Sequence, residues 1–313
     1  MNITFVNNTG DRDSGGFVTG YSWLAIGRQI QKDEYIKADM GLSFEQSDHG
    51  QILINQSVIH YESKFGIFSM GRKLSASSEL FRDLSDFGAP GAGNDNIPRS
   101  FFFTGSYPAN VAQQVSTPFA NRLAYAVSYH DHFGLKLSYA PHIPADNPAN
   151  YRYFSDGADV KDEISVATSA EWSWRNYLFG MTTGMTDGTF DDVRQFTNGD
   201  IHSHQVSFYT RHDKSSRNYT LYEAVYGCMD GDFKEKDCRA SWQISQVTGR
   251  WIKSTSLKRR VFQNENYNDY STGLMYVLGK GTRIGAEMIL RTKRFQDQLN
   301  GDLHWNFGMS QRF

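Results

Sequence analysis

The sequence predicts an all-β protein: a transmembrane antiparallel β-barrel of about sixteen strands, built as a single domain over residues 1–313. Three observations predict it. Apolar and polar residues alternate with a period of two in one segment after another. Short turns and longer polar stretches take turns between those segments. Aromatic residues gather near segment ends, where a membrane barrel carries its interfacial girdle.

Taken in order, GFVTGYSWLAIGRQ has mixed faces and no side is assigned to it. In YIKADMGLSF, Ile36, Ala38, Met40, Leu42 and Phe44 alternate with Lys37, Asp39, Gly41 and Ser43. NRLAYAVSYH sets Leu123, Tyr125, Val127 and Tyr129 against Arg122, Ala124, Ala126, Ser128 and His130. FGLKLSYA sets Leu135, Leu137 and Tyr139 against Lys136 and Ser138. EISVATSAEWSW sets Ile164, Val166, Trp172 and Trp174 against Glu163, Ser165, Ser169 and Glu171. WIKSTSLKRRVF is mixed again. RIGAEMILRTKR puts Ile284, Ala286, Met288 and Leu290 opposite Arg283, Gly285, Glu287, Arg291 and Lys293. The last segment, LHWNFGMSQRF, carries Leu303, Trp305, Phe307, Met309 and Phe313 on one face.

Short links (QKDE, SKFG, HDHF, RN, DKSS, TGR, GKGT) read as hairpin turns at one end. At the other end, TGDRDSGG, IPADNPANYRYFSDGADVK, GTFDDVRQFTNGD, DGDFKEKD, QNENYND and FQDQLNG read as longer loops. The stretch 74–119 is far longer than an ordinary connection, and loops of that length are usually functional.

Alternation alone also suits a soluble sandwich or propeller, which buries the apolar face. A membrane barrel reverses the sides, with apolar residues toward lipid and polar ones toward a watery lumen. The polar faces here mix small and charged residues, as a lumen does, and the short-turn, long-loop asymmetry runs along the whole chain. No run approaches 18 apolar residues, so no transmembrane helix is expected. MNITFVNN lacks the apolar core of a secretory signal, which reads as a mature sequence. The net charge of −2, with no basic tract interleaved with aromatics, points away from nucleic acid.

The residues KFGIFSMGRK (64–73), ANRLAYAVSYHDHFGLKLSYAP (120–141) and LHWNFGMSQRF (303–313) resemble, in that order, three parts of the Gram-negative general diffusion porins, the trimeric sixteen-stranded kind. These are the strand ending in Gly-Arg before the long third loop, the hairpin after that loop with its Asn-Arg start, and the terminal assembly strand. The resemblance covers the full length as a pattern. The PEFGG-like signature of some members is absent, and only DFGAPGAG comes near it.

The resemblance implies an integral protein of the bacterial outer membrane. Its partners would be two further copies in a homotrimer, outer-membrane lipid and lipopolysaccharide, and the small hydrophilic solutes and ions that diffuse through passively. It implies that loop 74–119 folds into the lumen, bringing Glu79, Asp83 and Asp86 toward a basic wall. Family arginines fall on Arg72 and Arg122. Alternation independently puts Lys37, Arg122 and Lys136 on the polar face, and Arg28 joins them from a strand of mixed faces. Trp305, Phe307 and Phe313 would carry the assembly signal in a last strand that closes against the first. No cofactor is expected.

Other features carry less. Cys228 and Cys238 flank MDGDFKEKD, and a disulfide there fits an oxidising compartment, two free thiols being the alternative. His130, Asp131 and His132, and Asp200, His202 and His204, lack the further ligands of a metal site, so none is expected. Asp191, Asp192 and Asp200 match no calcium motif. GAPGAGN lacks a phosphate loop's lysine and helix. Two rivals share the barrel. One is a substrate-specific channel, whose track could begin at Phe101, Phe102, Phe103 and Tyr107. The other is an outer-membrane enzyme, which would need a nucleophile constellation that Ser203 between His202 and His204 does not make.

Overall fold

The computed structural model describes residues 2–9, 16–31, 33–45, 51–77, 120–129, 132–144, 158–192, 197–215, 218–231, 234–262, 265–279, 282–295 and 298–312. They form sixteen strands: β1 (Asn2–Thr9), β2 (Gly16–Gln31), β3 (Glu34–Glu45), β4 (Gln51–Ser63), β5 (Gly66–Lys73), β6 (Ala120–Tyr129), β7 (Phe133–Ile143) and β8 (Ala158–Trp174), then β9 (Tyr177–Asp192), β10 (Thr197–Ser215), β11 (Asn218–Gly231), β12 (Lys234–Thr248), β13 (Trp251–Phe262), β14 (Glu265–Gly279), β15 (Thr282–Phe295) and β16 (Gln298–Arg312). Each pairs antiparallel with its sequence neighbours. β1 also pairs with β16, from Asn2↔Arg312 to Thr9↔Trp305, so the sheet closes on itself and leaves no edge.

The sides are inverted relative to a soluble protein. Residues whose side chains face outward include Ile26 (67% exposed), Met70 (59%), Leu123, Ile164, Met185, Phe208, Trp242, Tyr270 and Leu290. Buried positions on the inner face hold Ser69, Ser138, Ser165, Thr182, Thr186, Ser203, Gln205, Ser207, Ser245, Ser256 and Ser271. Burying hydroxyls beside a continuous outward band of isoleucine, leucine and aromatic residues is the arrangement of a barrel whose outside is hydrocarbon.

Aromatic rings collect outward near the short turns. Trp172 stacks on Phe179 (5.6 Å), Tyr177 on Phe179 (5.9 Å) and on His212 (4.4 Å), and Trp174 on Tyr177 (6.4 Å); around the barrel, Trp251 meets Tyr276 (4.7 Å). Farther up the same outer face, apolar residues give way to charge: Asp187 pairs with His202 (2.7 Å) and Lys161 with Asp191 (3.0 Å).

Four of the stretches expected as long loops are mostly strand. β9 runs to Asp192 before β10 begins at Thr197. β11 and β12, β13 and β14, and β15 and β16 approach as closely, at Gly231 and Lys234, Phe262 and Glu265, and Phe295 and Gln298. A strand beyond the hydrocarbon meets water on both faces. Its residues lose the apolar–polar rhythm while its backbone ladder continues, so composition alone reads it as loop. The longest strand, β10, has 19 residues against the roughly ten that cross a bilayer.

Candidate functional site

The inner wall is organised by one cross-strand row. Register pairing runs Lys37, His60, Ser69, Ala124, Ser138, Ser165, Thr186 and Ser203 from β3 to β10, all at inward positions. After β5 the chain turns onto this wall. Ala76 N donates to Ser138 Oγ (2.8 Å) and Ser77 N to Ser165 Oγ (3.0 Å). The Ser77 hydroxyl meets that of Thr186 (2.9 Å), and Gln205 Nε2 donates to the Ser77 carbonyl (3.0 Å). The first residues of the long connection are thus fastened inside the barrel by hydroxyl and amide groups from β7, β8, β9 and β10. Every buried backbone group there needs such a partner, and the serine–threonine row supplies it.

Glycine makes the room. A Cβ at Gly184 on β9 would come within 2.7 Å of Ser77 Cβ and 3.1 Å of Gln205 Nε2, so only a bare backbone lets Ser77 reach the wall. One turn of the pattern away, a Cβ at Gly180 would sit within the Tyr209 ring, which crosses β9 so that its hydroxyl donates to Glu171 on β8. This spacing was present in the sequence as YLFGMTTGMTDG, with glycine at every fourth position of an alternating strand. A side-chain period of two puts all of them on one face.

Arg122 takes an inward position on β6, but it is not a charge presented to water. Its Nε (2.9 Å) and Nη2 (2.8 Å) both hold Glu163 Oε1, its Nη1 donates to the Lys73 carbonyl, and neither side chain of the pair is exposed. A kink in β8 supports this. Asp162 adopts φ 51°, the register against β9 shifts between Lys161 and Ile164, and Val160 and Glu163 are both buried. Bulges re-aim side chains in this way, and aspartate tolerates the left-handed conformation. Asp162 in turn accepts a hydrogen bond from Tyr139 (2.7 Å).

The other expected residues separate. Lys37 and Lys136 are at inward positions, Lys136 half-buried and Lys37 exposed. Lys37 Nζ contacts Asp39 Oδ2 (3.0 Å), which also lies 3.2 Å from His60 Nε2, and His60 Nδ1 shares a hydrogen bond with Ser69 Oγ (2.8 Å). Arg28 departs from the expected basic wall: it pairs with Ile36, in phase with exposed Ile26 and Ile30, and so belongs to the outer face. Arg72 pairs with Ser57 and Asn121, in phase with exposed Met70, yet it is half-buried with its Nε shielded from solvent, and the next residue, Lys73, is buried. Glu79, Asp83, Asp86 and Phe313 lie outside the described residues. Trp305 and Phe307 sit on β16, in register with Thr9 and Asn7 of β1. Cys228 and Cys238 are direct cross-strand partners on β11 and β12 and form a disulfide. Among the described residues no group of three His, Cys, Asp or Glu could hold a metal ion.

No family model matches the chain, and no curated relative does. Solved structures do. A loop L8 deletion mutant of OmpT, an outer membrane protein of Vibrio cholerae, matches with a TM-score of 0.65 at 11% identity, over 99% of this chain and 96% of its own. An anion-selective porin from Comamonas acidovorans matches at 0.64 and 11%, over 100% and 96%. The outer membrane channel DcaP of Acinetobacter baumannii matches at 0.63 and 9%, over 100% and 94%. The chain therefore has the barrel fold of outer-membrane porins and channels.

Proposed function

We propose that this barrel is a water-filled channel of the bacterial outer membrane through which small hydrophilic solutes and ions diffuse passively. The observation that carries the reading is the distribution of sides in a closed barrel: large apolar residues cover the outer face, while serines, threonines, Gln205 and charged groups occupy many inner positions beside apolar ones such as Val58, Leu221 and Met275. Passage needs no reaction, and no catalytic step belongs to it. Selection comes from the width of the lumen and the charges along it.

In this reading the connection that starts at Ser75–Ser77 continues across the lumen, so that Glu79, Asp83 and Asp86 oppose the inward cations Lys37 and Lys136. The protein works as a homotrimer in contact with lipopolysaccharide. The β16 residues Trp305 and Phe307, with Phe313, serve as its assembly signal. The fastening of residues 76–77 to β7–β10 supports the first of these points.

Conductance of the purified, folded protein in a planar lipid bilayer tests the reading. Stepwise, ohmic currents, closing in three levels, are expected. Folded and inserted protein that passes no current would overturn it. Current blocked saturably by one class of solute would replace it with the substrate-specific channel.

A further inference from the structure

We infer that His60 is a selectivity residue of the lumen wall whose protonation moves the channel toward anions. The inference rests on the channel reading above and adds to it a named determinant of ion preference.

Three groups meet at this point of the wall. Asp39 on β3 is almost fully buried, with 4% of its side chain exposed, and its Oδ2 lies 3.0 Å from Lys37 Nζ and 3.2 Å from His60 Nε2, the latter an ion-pair distance without a hydrogen bond. Lys37 is about half exposed, at 48%, and His60 retains 18%. His60 Nδ1 meets the hydroxyl of Ser69 on β5 at 2.8 Å. Asp39 Oδ1 is buried with no hydrogen-bond partner, so this carboxylate meets cations through one oxygen only. Among the described residues, the groups facing His60 include Lys37 and Asp39 from β3, the uncharged Ser69 from β5, and Glu62, the next inward residue of its own strand, which pairs with Tyr35. Lys73 on β5 is a further cation; it is buried and lies two positions beyond Gly71, the partner of Val58.

The hydroxyl of Ser69 can accept as readily as it donates, so it serves either protonation state of the ring. With His60 neutral, Nδ1 accepts from Ser69 or donates to it, and Lys37 and Asp39 cancel. With His60 protonated, Nδ1–H donates to Ser69, Nε2–H faces Asp39, and the cluster carries one net positive charge beside the exposed ammonium of Lys37. A histidine held between a fixed carboxylate and a bidirectional hydroxyl changes charge without needing to move. Histidine is the side chain that changes charge between about pH 5 and about pH 8. A single charge in a narrow aqueous passage walled by low-dielectric material acts on every passing ion. The Arg122–Glu163 pair, on β6 and β8, is closed to water and presents neither charge to the lumen.

The test is the reversal potential of the bilayer-inserted protein in a potassium chloride gradient, read from about pH 8 to about pH 5. For the unaltered protein, the chloride-to-potassium permeability ratio is expected to rise about twofold as the pH falls. His60→Gln should flatten that rise. Asp39→Asn should already show the high ratio at the alkaline end. His202→Gln, on the outer face, should titrate like the unaltered protein. Heat-modifiable migration on gels reports whether each variant has folded. A rise that survives in folded His60→Gln overturns the inference and leaves the channel reading intact. Absence of current from the unaltered protein overturns the channel reading, and this inference with it.

Discussion

Arg122 on β6 and Glu163 on β8 meet across the intervening strand, with both arginine contacts on a single carboxylate oxygen and neither side chain reaching water. The buried Ala140, register partner of Glu163, is the small residue between them. The pair presents neither charge to the lumen and ties β6 to β8 across β7. Glu163 Oε2 is buried without a hydrogen-bond partner, which marks the pair as sensitive to loss of either member.

Removing one partner leaves a buried charge uncompensated. Arg122→Met should destabilise the barrel by about 3–5 kcal/mol, and Arg122→Met with Glu163→Gln should recover most of that. Denaturant unfolding of the two variants in detergent decides it. Equal instability of both would show that the pair is not energetically coupled.

The fastening of Ser77 depends on the bare backbone at Gly184. Gly184→Val should drive Ser77 off Thr186 and Gln205 while sparing the ladder of β9 itself. Single-channel traces should then show a changed open level with added current noise. A trace indistinguishable from the unaltered protein would mean that this contact does not set the passage.

Lys37 and Arg28 belong to facing strands but to opposite sides of the sheet. Lys37→Gln should lower the chloride-to-potassium permeability ratio by about a factor of two, and Arg28→Gln should leave it unchanged. Equal shifts from both would contradict the assigned phase of β2.

The Cys228–Cys238 bridge joins residues already opposed in the ladder, with only the β11–β12 hairpin between them. A loop this short gives a stabilisation of about 3 kcal/mol in the chain-entropy account. The double serine variant should unfold earlier by about that amount and conduct normally. Loss of conduction would assign the bridge a role in the passage.

Much of the barrel was legible in the alternation of β3, β6, β7, β8 and β15, because a period of two needs no tertiary information. Arg28 was not. Its strand mixes residue types, and only pairing with Ile36 fixes its phase. Arg122 was legible as inward-facing, but its neutralising partner lies two strands away, and a bulge in β8 decides where that partner points. The Gly180–Gly184 spacing was visible, yet its purpose depends on Tyr209 and Ser77 arriving from elsewhere in the chain. Strand ends beyond the hydrocarbon were read as loop because water on both sides removes the signal.

The outer face of β9 passes from Tyr177 through Phe179, Met181, Thr183 and Met185 before reaching Asp187. Ten residues of a strand tilted by about 40° rise about 25 Å. The stacked rings at one end and the Asp187–His202 pair at the other therefore act as a built-in ruler. A bilayer thicker than that distance would have to thin around the barrel or draw charge into hydrocarbon. On the channel reading, the barrel should favour a bilayer whose hydrocarbon matches that distance, and lipids of mismatched length should be depleted around it.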